Sequence, residues 1–276
     1  GWCDWSSDVC SSDLATAIIH PKAHVDPTVS VGPYAVIDEG VVLGPHCVVG
    51  PHVYLTGQTT VGAHNRFHAG CVIGNVPQDL KYRGAPSRLR IGDHNTFREC
   101  VTVNCSTDLD EDTTLGSHNL LMACSHVAHN CHLGNRVILA NGALLGGHVT
   151  VEDRVVISGN CLVHQFTRLG TLAMMQGGAA ISKDLPPYTM ARGVNRICGL
   201  NSVGLRRAGL SSDERLDLGR LYHRLFRSGL PLRRALEAAR REHTSPVAHV
   251  LLEFLAAAKR GVCTDRSKGA PVDEAD

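Results

Sequence analysis

HVAHNCHLGNRVILANGALLGGHVTVEDRVVISGNCLVHQF, residues 126–166, repeats with a period of six. Val127, Leu133, Leu139, Leu145, Val151, Ile157 and Val163 each open a hexad with an apolar marker. If three hexads close one turn of a coil, Val127, Leu145 and Val163 lie above one another. Successive turns then sit about 4.8 Å apart, the spacing of hydrogen-bonded strands. His129 stands two residues past its marker, His148 three past and His164 one past. All three imidazoles therefore gather at one corner of three successive turns.

The period extends in both directions. Markers run from Ile19 to Ile73, resume at Ile91, Phe97 and Val103, and run again from Leu115 to Ile181, every one apolar. A short fixed period sustained in this way means a solenoid. Gly follows the marker at Gly32, Gly44, Gly50, Gly62 and several later hexads, where tight corners favour a residue free of Cβ strain. Asn65, Asn95 and Asn119, at the fifth position, suit left-handed backbone at the same corners. Cys47, Cys71, Cys131 and Cys161 share that fifth position and read as small buried hydrophobes. An odd total of 11 cysteines, irregularly spaced, argues for free thiols and a reducing cytoplasm rather than a disulfide framework.

Composition narrows the function. The chain has 276 residues, enough for one large unit and a smaller one. A net charge of +1 offers no global attraction for nucleic acid or membrane. No apolar run reaches the ~18 residues of a membrane span. With 4% aromatics and 28 glycines, a thin repetitive core fits better than a globular one.

Residues 1–14, GWCDWSSDVCSSDL, match nothing downstream, and 1–18 are set apart from the fold as an artefact or a disordered leader. The coil is assigned to 19–190, with two excursions. NVPQDLKYRGAPSRLR, residues 75–90, is a long loop on a rigid scaffold, where binding groups are placed. NCSTDLDEDTT, residues 104–114, is acidic and reads as a solvated connector. Pro186 and Pro187 end the ladder. A helical unit follows over 191–263: a helix capped at Ser211 or Ser212 with Glu214, its apolar side formed by Leu216, Leu218, Leu221, Leu225 and Phe226, then helices opened by Pro231 and Pro246. From Thr264 a polar, disordered tail is expected.

QDLKY at 78–82, the HVAH, GGHV and HQF motifs, DLPPY at 184–188 and GLNSVGLRRAG at 199–209 together resemble the UDP-N-acetylglucosamine 3-O-acyltransferase family, within the hexapeptide-repeat acyltransferases. The resemblance covers about residues 19–260 in order. It implies a left-handed parallel β-helix followed by a small α-helical domain. It also implies transfer of an (R)-3-hydroxyacyl group from acyl carrier protein to the 3-hydroxyl of UDP-N-acetylglucosamine, the first step of lipid A synthesis, by a cytoplasmic homotrimer. No metal and no cofactor is implied.

Such a reaction needs a base for the sugar hydroxyl and a donor for the developing oxyanion. A neutral imidazole suits the first role. The family pattern assigns it to His129, and assigns the oxyanion to the Gly147 amide. His126, His148, His164 and Gln165 then line the site. Asp79 and Lys81 match residues holding the glucosamine and phosphates, and Asn201 and Arg207 match nucleotide contacts. Gly177 falls where the family measures the acyl chain, and its missing side chain favours a longer hydroxyacyl group. The sequence departs from the family in three places. Asn130 replaces an Asp that often follows the base, Cys105 replaces an Arg beside Asn104, and Val203 replaces an acidic residue near the nucleotide.

His46, His52, His64, His94, His118 and His132 read as surface residues. Two rival enzymes share the coil. A zinc lyase resembling γ-class carbonic anhydrase would use His126, His129 and His148 as ligands, but the QDLKY loop and the helical end speak against it. The N-acyltransferase of the same pathway carries an additional N-terminal uridine-binding domain, which residues 1–18 are too short to form.

Overall fold

The computed structural model describes residues 16–265. Strands of two to four residues follow one another at the hexad spacing and build three parallel sheets of nine, eight and ten strands. Register confirms the turn: Val127 pairs with Leu145, and Leu145 with Val163. In the two-residue strands the marker is the second residue and points inward, as at Val127, Leu145 and Val163, while the residue before it faces out. Phe67, Ile73, Phe97, Leu121, Leu139 and Leu145 fill the axis, with the Phe67 and Phe97 rings stacked at 4.8 Å. Burying a Leu or Ile of this kind stabilises by roughly 1.5–3 kcal/mol, repeated at every hexad.

The corners differ from expectation in two respects. Left-handed backbone is adopted by the residue three past the marker: His46, His64, His94, His118, Asn130, Arg136, His148 and Phe166 all have φ between 54° and 63°. Asn65, Asn95 and Asn119 follow it and are buried. They form a ladder inside one corner. Asn95 donates from its backbone N–H to Asn65 Oδ1 at 2.9 Å, Asn119 donates likewise to Asn95 Oδ1 at 2.8 Å, and Val137 N–H donates to Asn119 Oδ1 at 2.7 Å. The glycines after the markers answer to space between coils rather than to φ. A Cβ on Gly44 would lie 2.7 Å from the Gly62 oxygen of the next coil.

Pro186 and Pro187 do not end the ladder. Leu185 acts as a further marker, accepting from Gly170 N–H at 2.9 Å and donating to the Arg168 oxygen at 2.8 Å. Pro187 takes the second position past it, where Pro33, Pro45 and Pro51 also stand and where no ladder hydrogen bond is needed. The coil therefore continues through Thr189–Ala191, which pairs with Met174–Met175, and is closed by the antiparallel strand Ile197–Leu200.

Four helices complete the described chain: α1 (Ser202–Arg207), α2 (Ser212–Phe226), α3 (Leu232–Glu242) and α4 (Pro246–Ala256). The short α1 has no signal in the sequence reading. Ser211 and Glu214 cap α2 reciprocally, as expected. Leu218, Leu221 and Leu225 are buried against α3 and α4, but Leu216 faces solvent. Arg168 clamps the helices to the coil, donating to the Phe254 oxygen at 2.7 Å with its guanidinium over the Phe254 ring. Thr264 and Asp265 belong to the fold, not to a tail. Thr264 bridges Arg196, and Asp265 Oδ2 accepts from Tyr222 Oη at 2.8 Å and from Arg227 Nε at 2.6 Å. The expectations for residues 1–15 and for the chain beyond 265 lie outside the described residues, but Ile18, set apart with the leader, belongs to the coil: Ile18–Ile19 is its first strand and pairs with Val36–Ile37. The described cysteines are free, and burial pushes the Cys71 and Cys131 thiols up to about 12.

Candidate active site

One corner, where the first sheet hands over to the second, collects the unusual features of the coil. On successive turns it carries the loop between Val72–Asn75 and Arg88–Ile91, the loop between Thr102–Asn104 and Thr113–Leu115, then His129, then Gly147 and His148, then His164, Gln165 and Phe166. A cavity of about 640 Å³ opens beside it, lined by Gln78, His126, His129, Gly147, His164 and Gln165 together with Leu144, Leu162, Ile181 and Val194.

His129 is only 8% exposed, although it stands at a corner. Its ring lies against the Cα of Gly147: a Cβ there would come within 2.5 Å of Cε1 and 2.6 Å of Nε2. Glycine at 147 is thus required by the imidazole. His129 Nδ1 lies 2.9 Å from Asn130 Oδ1. That oxygen also accepts from the backbone N–H of Thr107 at 3.1 Å and from Thr107 Oγ1 at 2.9 Å. A backbone N–H is only ever a donor, so the amide orientation is fixed with Oδ1 toward His129. Neutral His129 must then carry its proton on Nδ1 and present a lone pair at Nε2. No partner among the described residues occupies Nε2.

The Gly147 N–H has no acceptor among the described residues. The coil does not use this N–H, since proline fills the same position at Pro33, Pro45 and Pro51. It is therefore a donor left free within the cavity wall. His148 does not line the cavity. Its ring meets His129 edge-on at 5.2 Å and stacks on Phe166 at 4.5 Å. Burial, then the neighbouring His129, lowers its pKa against the opposing influence of Glu111, Asp108 and Asp79. His126 Nδ1 bonds Thr102 Oγ1 at 2.7 Å, and burial together with His129 lowers its pKa as well. Both imidazoles are held toward the neutral form.

The remaining predicted residues are spread more widely. Asp79 sits in a tight turn of the first loop, its Oδ1 accepting from Lys81 N–H at 2.8 Å, and the Lys81 side chain is exposed. Asn201 caps α1, accepting from Gly204 N–H at 3.1 Å and donating to the Leu172 oxygen at 2.9 Å, so both ends of its amide are engaged in the fold. Arg207 is exposed at the end of α1. Gly177 stands at the corner after the third sheet, exposed, with room for a Cβ. Neither Asn201, Arg207 nor Gly177 lines the cavity.

Sequence reading missed the second loop. It is not a solvated connector: Ser106 is fully buried and Thr107 packs on Asn130. Glu111 Oε2 accepts from Asn130 Nδ2 at 2.8 Å, and Glu111 Oε1 lies 2.8 Å from His132 Nε2. Burial alone would raise the Glu111 carboxyl, but the hydrogen bonds from His132 and Asn130 and the charges of His132 and His148 outweigh it and hold the pKa low. Gln78 was also overlooked, although QDLKY contains it. Cys105, where the family has Arg, is buried and donates its S–H to the Gly74 oxygen at 3.0 Å. Among the described residues, no three His, Cys, Asp or Glu side chains converge to hold a metal ion.

Comparison with known proteins identifies the architecture and its relatives. The family described as Udp N-acetylglucosamine O-acyltransferase, domain 2, matches residues 184–263, and the bacterial transferase hexapeptide (six repeats) matches residues 112–147. The acyl-(acyl-carrier-protein)–UDP-N-acetylglucosamine O-acyltransferase of Janthinobacterium sp. (strain Marseille) is 50% identical over 254 residues, 90% of this chain and 97% of the relative. That of Herminiimonas arsenicoxydans is 47% identical over 255 residues, with the same coverage. Among solved structures, the UDP-N-acetylglucosamine acyltransferase of Francisella novicida superposes with a TM-score of 0.86 at 32% identity, covering 91% of this chain and 94% of that one.

Proposed function

The chain belongs to the UDP-N-acetylglucosamine O-acyltransferase family, and from that premise we propose that it moves an (R)-3-hydroxyacyl group from acyl carrier protein to the 3-hydroxyl of UDP-N-acetylglucosamine, opening lipid A synthesis in the cytoplasm. The observation that carries this reading is the free Nε2 of His129 beside the unused N–H of Gly147 in one cavity wall.

His129 Nε2 takes the proton of the sugar hydroxyl as its oxygen attacks the thioester carbon. The carbonyl oxygen becomes an oxyanion and accepts from Gly147 N–H. Collapse expels the carrier thiolate, which receives the proton from the His129 imidazolium. His126, His164, Gln165 and Gln78 shape the site around the sugar, while His148 backs the His129 ring edge-on. Asp79 and Lys81 serve the glucosamine and phosphates. An apolar ladder supports the acyl part: His126, Leu144, Leu162 and Ala180 are in register on the outer face of the first sheet, with Leu144 and Leu162 exposed by 41% and 51%. This ladder leads away from His129 over three turns, roughly 14 Å.

Exposed leucines beside a one-sided cavity are what a neighbouring subunit covers. The active form is a homotrimer in which the neighbour brings Arg207, Asn201 and Gly177 to the site. Sedimentation would find a trimer. Wild-type turnover by a monomer would contradict it.

Mass spectrometry of the product formed from UDP-N-acetylglucosamine and a panel of hydroxyacyl carrier-protein thioesters tests the whole reading. An O-linked hydroxyacyl product is expected, and Gly177→Met shifts the preferred donor to a shorter chain. Absence of any O-acylated product from the whole panel would end this assignment. An unchanged chain preference in Gly177→Met would move the length determinant elsewhere.

A further inference from the structure

Asn130 poses a problem for the base it follows. An amide touches His129 Nδ1 where the family often has a carboxylate, so the imidazolium formed during transfer faces a neutral group. The second loop supplies what is missing. Asn130 is fully buried, and its amide is anchored on every side: backbone N–H to Thr113 Oγ1 at 2.8 Å, Oδ1 from Thr107, and Nδ2 to Ser106 Oγ at 2.9 Å and Glu111 Oε2 at 2.8 Å. Its orientation cannot reverse, because Nδ2 has two acceptors and Oδ1 a backbone donor.

We infer that Glu111 is the anionic positioning residue of this enzyme, acting on His129 through the Asn130 amide. The chain Glu111 carboxylate, Asn130 Nδ2–H, Asn130 Oδ1, His129 Nδ1–H is continuous, each link 2.8 or 2.9 Å. A carboxylate that accepts from Nδ2 polarises the amide and makes Oδ1 a better acceptor for the imidazolium. Glu111 does not touch substrate. It fixes the His129 tautomer and steadies the charge that appears there. The surrounding titratable groups are consistent with a standing anion: His132 Nε2 holds Glu111 Oε1 at 2.8 Å, and His148 Nδ1 lies 3.6 Å from Oε2. Asp108, Asp79 and His126 complete the titratable neighbourhood of the two catalytic-corner imidazoles.

This inference rests on His129 as the base, and its test separates the two. Steady-state kcat and KM are measured for Glu111→Gln, Asn130→Asp, the double variant and His129→Ala, each with its thermal midpoint. Glu111→Gln is expected to lower kcat about tenfold, ~1.4 kcal/mol of transition-state stabilisation, with KM within about twofold. The effect is modest because the charge acts across an amide at a partly solvated site. Asn130→Asp alone sets two carboxylates at hydrogen-bond distance and also loses activity. The double variant moves the one carboxylate next to His129 and recovers most of the wild-type kcat. A structural role would not give two deleterious changes that rescue each other in kcat. If His129→Ala is inactive while Glu111→Gln keeps wild-type kcat and KM, the Glu111 role falls and the base assignment stands. A double variant worse than either single one would equally overturn it. If His129→Ala is active, both fall.

Discussion

Two corners of one coil carry histidines, and they are built for different ends. At the corner after the second sheet, His46, His64, His94 and His118 stand three residues past their markers, with rings stacked 4.7–4.9 Å apart and facing solvent. Buried beneath them run Asn65, Asn95 and Asn119. At the corner after the first sheet, His129 stands two residues past its marker. It is buried, its Nδ1 is tied to Asn130, and Nε2 is free. One step of register separates an ornament of the scaffold from a candidate base. At the third position past the markers of the second sheet, the left-handed backbone turns the rings of His46, His64, His94 and His118 along the outside of the corner. At the second, the side chain folds against the next turn, where glycine leaves it room.

Exchanging single residues between the two corners should produce opposite signatures. His129→Ala is expected to lose about 10²–10⁴ in kcat with circular dichroism unchanged, whereas His94→Ala keeps kcat within about twofold. A His129→Ala protein with native turnover would erase the distinction. The buried asparagines give the reverse pattern. Asn95→Ala removes the acceptor of the Asn119 N–H and the donor to the Gly116 oxygen, both inside the coil. Orphaned buried groups cost ~1–3 kcal/mol each, so a drop of about 3 kcal/mol in denaturant unfolding is expected, with kcat at 25 °C unchanged. A loss of activity without a loss of stability would show that the ladder reaches the site.

The axis of the fold was fully legible, because an apolar residue every sixth position admits few other arrangements. The corners were less so. Glycine after the marker was expected to relieve φ, yet its neighbours at Gly62 and Gly134 show that it relieves crowding between turns. Periodicity reports which side chains point inward but not how closely successive backbones approach. His129, Gly147, His164 and Gln165 were brought together as read, because they lie inside the unbroken repeat. Glu111 was invisible for the opposite reason. It lies in a loop with no period, so nothing in NCSTDLDEDTT indicated which of its four acids folds back on the coil. Arg207 and Gly177 stay outside the cavity of one chain, and sequence register within a chain carries no information about a neighbour.

His126 offers the finest comparison, since it is neither a rim histidine nor the base. Burial, and then His129, holds its pKa below the ordinary imidazole value of ~6.5. The unfolded chain therefore binds a proton in the interval below ~6.5 that the folded chain refuses. Stability from this group is complete above the unfolded pKa and is lost as pH falls through the folded one. Buried carboxyls act in the opposite sense: burial raises the pKa of Glu152 and Asp184, so the folded chain binds protons there that the unfolded chain releases. A bare pH profile of stability mixes both, but a difference between two proteins does not. Urea unfolding of wild type and His126→Gln between pH 7 and 5 isolates the histidine. Wild type is expected to lose more stability over that interval than the variant, by less than about 1 kcal/mol. Parallel profiles would mean that His126 titrates alike in both states, and that the cavity wall does not enforce its neutral form.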